Sequence, residues 1–391
     1  VKDIKFEGND NLIKIIGSEI DEIYLNTISS YSLSPENNLK HRNIKIVYTP
    51  IHGTGVKLVP MALHKFGFAT VSTIPEQNII DGDFPTVISP NPEESEALKL
   101  AIEKATEIDA DILMGTDPDT DRVGVGVKNN IGEFILLNGN QTATILFYYV
   151  LLKWKEKGWI QGNEFIAKTI VTTDILSEIA KDFGVECFEV LTGFKYIADI
   201  IRNFEGKKKF ICGGEESYGY LVGDYARDKD AIIACALLSE IVAWAKEQEK
   251  TVYQLLVEIY VKYGLYKEKL ISITKKGKEG AEEIKQMMES HRSNPPKNIG
   301  NSKVVLFKDY QLRQTTNLLD GTISPINLPK SDVIQFITED GTRISLRPSG
   351  TEPKIKFYFG VKGNLKYPAE YELVNKQLDE KIDEIISELG I

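Results

Sequence analysis

The sequence predicts two consecutive α/β domains followed by a smaller α+β domain. The chain has 391 residues, which is more than one ordinary hydrophobic core can serve. Its first two thirds alternate short β-rich runs with amphipathic helical stretches, the pattern of α/β layers. Its last third groups strands with helices near the ends, and proline-containing segments at 294–296 and 325–329 punctuate it.

The first α/β domain is expected at residues 19–137. Apolar runs predict strands at 43–48, 69–73, 111–116 and 123–127, and a helix at 55–66. A further helix is predicted to begin at Asn91-Pro92-Glu93-Glu94, because a capping residue, a proline and two acids favour a helix start. This helix is expected to run through Lys104.

The second α/β domain is expected at 138–262 and the α+β domain at 263–391. The second domain has a predicted helix at 139–157, strands at 165–170, 186–190 and 209–212, helices at 174–183 and 194–202, and one long helical stretch from 230 to about 260. The last domain has predicted strands at 270–274, 333–337, 342–346 and 355–361, and helices at 279–291 and 369–389.

Charge and composition argue against several classes of partner. The net charge of −10 disfavours non-specific binding to nucleic acid, which needs an excess of Lys and Arg. The sequence contains no run of about 18 apolar residues, so no membrane-spanning helix is predicted. Cys187, Cys212 and Cys235 form no CxxC pair, which disfavours both a disulfide framework and a zinc site. A cytoplasmic location is therefore expected, without a nucleic-acid or membrane partner.

The sharpest chemical signal is the segment Gly115-Thr116-Asp117-Pro118-Asp119-Thr120-Asp121-Arg122 between two apolar strands. Three carboxylates at alternating positions of a turn can converge on one hard cation, and oxygen ligands suit Mg²⁺. A calcium-binding EF-hand needs Gly and Glu where this chain has Arg122 and Lys128. The alternative of an acidic solvent-exposed turn is disfavoured by the apolar strands on both sides.

Two further loops carry polar groups suited to a sugar phosphate. Gly213-Gly214-Glu215-Glu216-Ser217-Tyr218-Gly219 offers carboxylates and a hydroxyl to vicinal sugar hydroxyls, although an ordinary polar turn is an equal alternative. Arg347-Pro348-Ser349-Gly350-Thr351-Glu352-Pro353 joins a guanidinium and hydroxyls to a glycine that lets backbone N–H groups approach a phosphate. A tight turn without a ligand is an equal alternative for this loop too.

A glycine turn, Thr49-Pro50-Ile51-His52-Gly53-Thr54-Gly55, lies between a predicted strand and a predicted helix. That setting would suit a dinucleotide, but Leu58 occupies the third glycine position of G-x-G-x-x-G. We expect His52 to be structural rather than catalytic.

Together these loops resemble those of the α-D-phosphohexomutase family, which contains phosphoglucomutases and phosphomannomutases. The acidic segment is similar to the family's Asp-x-Asp-x-Asp-Arg metal loop, which implies Asp117, Asp119 and Asp121 as Mg²⁺ ligands. Arg122 would then face the reacting phosphate or sugar. The family architecture also implies mixed sheets in three layers for the two α/β domains.

The same resemblance assigns the other two loops. The family's Gly-Glu-x-Ser loop implies Glu215 and Ser217 as the residues that bind sugar hydroxyls. Its Arg-x-Ser-x-Thr-Glu-Pro loop implies that the phosphate not being transferred is held by Arg347, Ser349, Gly350 and Thr351. Gly350 stands where some members carry Asn. Thr192-Gly193-Phe194-Lys195 resembles a Thr-Gly-x-Lys turn of phosphoglucomutases, which makes Lys195 a candidate for phosphate binding or proton transfer.

The family's first domain carries a Ser-His-Asn-Pro loop, and this sequence contains no such loop. Ser89-Pro90-Asn91-Pro92 is the nearest string and lacks the histidine. The resemblance therefore covers domains two to four, and residues 1–18 are expected to be the trailing edge of a first domain that was lost, cleaved or left out.

The implied reaction moves phosphate between C1 and C6 of a hexose. It passes through a hexose 1,6-bisphosphate, which is both intermediate and activator, and a phosphoserine outside this chain. The chain alone is expected to bind hexose phosphates weakly and to have little or no turnover. Its expected partners are the hexose phosphate and the missing first domain, and its oligomeric state is open.

Two other functions stay open. A non-catalytic sugar-phosphate-binding protein is disfavoured by the complete carboxylate triad, which a mere binder has little use for. A nicotinamide-dependent oxidoreductase built around residues 53–55 is disfavoured by the broken glycine pattern. Phe194-Lys195 and the Glu-Glu-Ser-Tyr string favour glucose phosphates, but the choice among glucose, mannose and pentose phosphates stays open.

Overall fold

The computed structural model describes residues 8–350 and 352–390. Within these residues the chain forms three β-sheets in succession, of five, four and eight strands. We call the parts of the chain that carry them the first unit (18–137), the second unit (139–263) and the third unit (265–388). Two mixed α/β units and an α+β unit are the predicted fold class, which is confirmed.

The first unit has a mixed sheet in the order β2-β1-β3-β4-β5. Its elements are α1 Ser18–Ser29, α2 Pro35–Lys40, β1 Lys45–Thr49, α3 Gly55–Lys65, β2 Thr70–Thr73, α4 Lys99–Glu107, β3 Ile112–Thr116, β4 Val123–Lys128 and β5 Phe134–Leu137. Strand β1 pairs in parallel with β2 and β3, and β4 is antiparallel to β3 and β5. Because side chains alternate along β1, Val47 packs with Ala101 of α4, whereas Tyr48 packs in the cluster that contains Val59 of α3. Helices therefore cover both faces, which gives three layers.

The second unit repeats this plan with the order β7-β6-β8-β9. Its elements are α5 Gly139–Glu156, β6 Glu164–Thr169, α6 Ile175–Phe183, β7 Glu186–Val190, α7 Phe194–Phe204, β8 Lys209–Gly214, β9 Tyr220–Val222, α8 Ala231–Glu247 and α9 Val252–Tyr263. The first three strands are parallel and β9 is antiparallel. Phe165 packs with Ile197 of α7, while Ile166 packs in the cluster that contains Leu176 of α6.

The third unit is an antiparallel sheet with helices on one face. Its elements are β10 Leu265–Thr274, α10 Gly277–Ser293, β11 Asn298–Ile299, β12 Ser302–Asp309, β13 Gln314–Asn317, β14 Ile323–Pro325, β15 Ile334–Thr338, β16 Arg343–Pro348, β17 Lys354–Gly363 and α11 Tyr371–Glu388. Phe357 and Phe359 pack in the cluster that contains Ile382 of α11. Tyr358, between them, packs with Ile170 and Val171 of the second unit. The other face of the sheet therefore meets the second unit.

Two predicted helix boundaries are wrong. Helix α4 begins at Lys99 rather than at residue 91, because 91–98 fold into successive turns and Glu93 is drawn to Arg122 at 3.1 Å. The long stretch from 230 to 260 is two helices, because Glu249 takes a left-handed φ of 58° and Thr251 caps α9 in a capping box. Strands β5, β9 and β11 to β14 are absent from the sequence prediction.

In the part of the chain that the structure describes, every helix is too short or too polar to cross a membrane. Cys187, Cys212 and Cys235 are free thiols. Cys187 is partly exposed and the other two are buried.

A buried carboxylate on α8 joins the first and second units. Glu240 is fully buried, and its carboxylate accepts hydrogen bonds from Leu33 N at 2.7 Å, Asn38 Nδ2 at 2.7 Å and Tyr149 OH at 2.9 Å. Ser32 donates a further hydrogen bond to the same group. The segment before β1 is thereby tied to α5 and α8.

Replacing Glu240 with Gln is expected to lower the free energy of unfolding by about 2–3 kcal/mol, since hydrogen bonds to charged groups are worth about 1.5–3 kcal/mol. Urea denaturation measures this effect. Glu247→Gln on the same helix is the control, because Glu247 pairs with the exposed Lys40 and with His41. Such a pair is worth less than about 1 kcal/mol. Equal losses in the two variants would contradict the role of Glu240.

Candidate active site

A cavity of about 450 Å³ lies where residues from all three units meet. Its wall includes Arg122 from the first unit, Glu215 and Ser217 from the second, and Arg347 from the third. These are four of the residues predicted from the sequence, and they come from three loops far apart in the chain. The fold therefore brings one residue or more of each predicted loop to a single place.

The loop between β3 and β4 gathers three carboxylates. Asp117 accepts the backbone N–H of Asp121 at 3.0 Å and of Arg122 at 2.9 Å, and Thr120 takes a left-handed φ of 61°. This tight turn places oxygens of Asp117, Asp119 and Asp121 within 4.8 Å of one another. Asp121 Oδ1 is buried and has no hydrogen-bond partner among the described residues. An all-oxygen donor set with an orphaned oxygen fits a hard divalent cation.

The charges around this loop leave it with an excess of negative charge. Burial raises the pKa of Asp117 to about 7, and the neighbouring Asp121 and Asp119 act in the same direction. Arg122 Nε lies 3.7 Å from both Asp117 Oδ2 and Asp121 Oδ1, and Lys229 Nζ lies 2.7 Å from Asp121 Oδ2. Two cations therefore face three carboxylates, so the loop keeps an excess of negative charge that favours a bound cation.

The glycine turn before α3 supports the metal loop. Thr54 N donates to Pro118 O at 2.8 Å, and a Cβ on Gly53 would collide with the backbone of Pro118. The buried His52 ring is held by Ile79 O and Thr86 Oγ1, both at 2.8 Å. These contacts hold the His52 ring in place, and its structural role remains a prediction. The Thr54 N–H is also taken, which leaves the turn less able to bind a dinucleotide.

The loop between β8 and β9 contacts the turn at Gly193 and the start of β4. The Glu215 carboxylate accepts Gly193 N at 2.8 Å, and burial, with Glu216 next in importance, raises the pKa of Glu215. Tyr218 O accepts Val123 N at 3.0 Å, which fixes this loop to the start of β4. Glu215 and Ser217 are thus held beside Arg122 on the cavity wall.

Strand β16 contributes Arg347, just before the loop to β17. This residue lies opposite Lys356 in the antiparallel pair, and both line the cavity. Burial lowers the pKa of the Lys356 ammonium, which the carboxylate of Glu93 opposes. Two cations side by side suit an anionic ligand.

The structure does not bring every predicted residue to the cavity wall. Ser349 lines a separate groove beside α10, and Gly350 is exposed. Thr351 lies outside the described residues. Lys195 is exposed, with Nζ 5.1 Å from the ring centroid of Tyr196. Asp117, Asp119 and Asp121 are also not among the residues that line this cavity, and the roles of all the predicted site residues remain predictions.

The wall also carries charged residues that the sequence analysis did not single out as functional. They are Glu93, Asp174, Glu216, Lys229, Glu268, Lys269, Arg343 and Lys356. The alternation Arg343-Ile344-Ser345-Leu346-Arg347 could have indicated Arg343, because residues two apart share one face of a strand. We find no comparable signal in the sequence around Lys229.

Three family models match consecutive parts of the chain. They are phosphoglucomutase/phosphomannomutase alpha/beta/alpha domain II at residues 22–132, domain III at 138–263 and the C-terminal domain at 278–365. The chain belongs to the phosphoglucomutase/phosphomannomutase family. The resemblance read from the loops is thereby confirmed, and the three units correspond to these three family domains.

Individual relatives agree with this assignment. A phosphoglucomutase of Staphylococcus haemolyticus (strain JCSC1435) is 34% identical over 359 residues, which cover 92% of this chain and 65% of that protein. This chain of the phosphoglucomutase/phosphomannomutase family therefore spans slightly less than two thirds of that curated relative's length.

Two solved structures share the fold. The pp63/parafusin phosphoglucomutase from Paramecium, in its open form, superposes with a TM-score of 0.65 at 16% identity, covering 96% of this chain and 63% of that one. An Aspergillus fumigatus N-acetylphosphoglucosamine mutase in complex with GlcNAc-6P and magnesium has a TM-score of 0.50 at 13% identity, covering 91% and 69%. At these identities the similarity to the family structures concerns the fold alone.

Proposed function

We propose that this chain is the metal-, sugar- and phosphate-binding part of a phosphohexomutase. The reaction moves phosphate between C1 and C6 of a hexose through a hexose 1,6-bisphosphate, and the phosphoserine lies outside this chain. The observation that carries the proposal is the convergence of Arg122, Glu215 and Arg347 on one cavity. Surface turns without a common ligand are not expected to line one cavity.

Asp117, Asp119 and Asp121 are the proposed ligands of Mg²⁺. Their oxygen donors and the orphaned Asp121 Oδ1 support this role. When bound, Mg²⁺ supplies neutralisation of negative charge on the transferring phosphoryl group. Arg122 spans the metal loop and the cavity wall, so its guanidinium is placed to hold the same group.

The other two loops orient the substrate. Glu215 and Ser217 offer a carboxylate and a hydroxyl to sugar hydroxyls, and the Arg347 guanidinium holds the phosphate that is not transferred. Ser349, Gly350 and Thr351 continue the Arg347 loop and are proposed to complete this phosphate site. Lys195 remains a candidate for phosphate binding or proton transfer, and its exposed position supports that role least.

The curated relative is a phosphoglucomutase, which supports glucose phosphates as the substrates of this chain. The Aspergillus mutase complex with a sugar phosphate and magnesium supports the same ligand class and metal. Since the sequence holds no Ser-His-Asn-Pro loop, we propose that this chain alone has little or no turnover. A cytoplasmic location remains a prediction from its unpaired cysteines.

Calorimetric titration with glucose 1,6-bisphosphate in Mg²⁺ tests the proposal. The wild-type chain is expected to bind, and Arg347→Ala is expected to weaken binding by at least about tenfold, because a charged hydrogen bond is worth about 1.5–3 kcal/mol. Arg313→Ala is the matched control, since Arg313 lies in the turn before β13, its Nε donates to Ile326 O, and it is not among the residues that line the cavity.

Two outcomes of that titration would contradict the proposal. One is the absence of binding by the wild-type chain, and the other is an equal loss in the Arg347 and Arg313 variants. Binding of NADH instead of the bisphosphate would favour an oxidoreductase.

A further inference from the structure

An ion cluster around the buried Lys168 joins β16 of the third unit to the second unit. Arg343 Nη1 lies 2.8 Å from Asp174 Oδ1, and its Nη2 donates to Thr172 O at 2.8 Å. Lys168, whose side chain is fully buried, lies 3.0 Å from Asp174 Oδ1 and 2.6 Å from Glu189 Oε1. Two cations face two anions, so the cluster is close to neutral and each charge has a partner.

Thr172 connects this cluster to the sugar-binding loop. Its carbonyl accepts the Arg343 hydrogen bond, and its hydroxyl donates to Glu216 Oε2 at 3.1 Å. The Thr169 hydroxyl donates to the same Glu216 oxygen at 3.0 Å. Glu216 directly follows Glu215, and its carbonyl packs so closely on Gly139 that a Cβ there would collide with it. The Glu216 side chain and backbone are therefore fixed from two sides.

Arg343 also shares a strand face with the phosphate-binding arginine. Side chains alternate along β16, so Arg343, Ser345 and Arg347 face the same way, and all three line the cavity. Four residues of a strand span roughly 13 Å. A strand held at Arg343 therefore carries Arg347 at a set distance from the sugar-binding loop.

Contacts beside the cluster keep the two units in register. Gln335 Nε2, on the neighbouring β15, donates to Ile170 O at 2.8 Å and to Ser345 Oγ at 2.9 Å. Tyr310 and Tyr358 pack with Ile170 and other apolar residues of the second unit. Gln335 contacts the backbone of the second unit at Ile170, outside the sugar-binding loop. The hydrogen bonds of Thr172, in contrast, reach that loop at Glu216.

We infer that the hydrogen-bonded chain Arg343–Thr172–Glu216 sets the separation between the phosphate-binding and sugar-binding loops. Arg343 and Thr172 are then positioning residues, which act on the substrate through Arg347 and Glu215. A hexose phosphate has a fixed length, so it engages both loops together only if their separation matches it. This inference rests on the proposed function for its ligand, but the coupling between the loops exists without one.

Hydrogen exchange of the ligand-free chain tests the coupling directly. Arg343→Met, and Thr172→Val, which removes only the hydroxyl link, are both expected to speed amide exchange in residues 213–219 by about tenfold, a coupling typical of one hydrogen-bond network. Lys267→Met is the matched control, because it removes an ion pair with Asp379 of α11 on the far face of the same sheet. Unchanged exchange at 213–219 in Arg343→Met would overturn the inference, whether or not any sugar binds.

Calorimetry in Mg²⁺ tests the consequence for ligands. Arg343→Met is expected to weaken glucose 6-phosphate binding by about tenfold and to leave binding of inorganic phosphate within about twofold. Arg343→Lys keeps the charge near Asp174 but loses the hydrogen bond to Thr172. Its affinity for glucose 6-phosphate is therefore expected to lie between those of the wild-type chain and Arg343→Met. Equal weakening of both ligands would mean a merely structural role. Failure of the wild-type chain to bind glucose 6-phosphate would count against the proposed function, and the exchange experiment would still decide the coupling.

Discussion

Replacing Asp119 with asparagine is expected to weaken Mg²⁺ binding by at least about a hundredfold, since even residues that only orient ligands change metal affinity by about 10–100-fold. Asp119 is the exposed member of the triad, so the substitution removes a charge without disturbing the Asp117 turn. Calorimetry measures the affinity. Asp109→Asn is the control, because that residue is an exposed carboxylate paired with Lys128. Similar affinities for the Asp119 variant and the wild-type chain would exclude the triad as the metal site.

The same site predicts a pH dependence. Since the pKa of Asp117 is about 7, its carboxyl must lose a proton before it can bind a cation, and Mg²⁺ affinity is expected to rise with pH up to about 7. The folded chain holds this proton between about pH 4 and pH 7, where the unfolded chain has released it. Without metal, the contribution of Asp117 to stability is therefore present at low pH and lost as the pH rises through 7. Mg²⁺ is expected to raise the Tm more at pH 8 than at pH 5.5.

Replacing Lys168 with methionine is expected to lower the free energy of unfolding by about 1.5–3 kcal/mol, because the buried Lys168 loses its charged hydrogen bonds while its partners Asp174 and Glu189 are more than a third exposed. The variant leaves Asp174 and Glu189 with Arg343 as their nearby cation. Lys262→Met is the control, because Lys262 pairs with Asp182 at an exposed position and is expected to change stability by less than about 1 kcal/mol. A loss below about 1 kcal/mol for Lys168→Met, measured by urea denaturation, would mean that the cluster does not stabilise the fold.

The stabilisation by Asp174 is expected to depend on pH in the acid range. Burial acts to raise the pKa of Asp174, but Lys168 and Arg343 outweigh it and lower that pKa to about 2. The stabilisation by Asp174 is therefore present above the ordinary carboxyl range near pH 4 and is lost as the pH falls towards 2. The difference in stability between Lys168→Met and the wild-type chain should narrow over that interval.

Much of the fold is predictable because its signals are local. The apolar runs at Lys45–Thr49 and Ile112–Thr116 are buried strands as expected, and the third unit has the predicted mixture of strands and helices. The start of α4 was not predictable from residue 91, because the contact of Glu93 with Arg122 depends on a residue 29 positions away. The break before α9 did have a local signal in Thr251-x-x-Gln254, the capping box.

The candidate site divides in the same way. Asp117, Asp119 and Asp121 sit in one hairpin loop, so sequence alone can place them together. Lys229 and Lys356 line the cavity because separate units pack together. Their spacing in the sequence does not predict that they lie in the same place. Lys195 is singled out by its local motif, yet it is exposed and is not among the residues that line the cavity.

The coupling of the loops was also beyond local reasoning. Arg343 meets Thr172 across 171 positions of the chain, and Thr172 meets Glu216 across 44. Taken one at a time, Arg343, Thr172 and Glu216 carry no sequence signal that predicts these contacts. Only the packing of the third sheet on the second unit makes them one hydrogen-bonded chain.

A crystal structure of the chain with glucose 1,6-bisphosphate and Mg²⁺ would test the shared cavity most directly. We expect one phosphate within hydrogen-bonding distance of Arg347, sugar hydroxyls at Glu215 and Ser217, and the ion among Asp117, Asp119 and Asp121. Ligand bound elsewhere, for example in the groove between Trp154 and Tyr31, with the three-loop cavity left empty, would contradict the proposal.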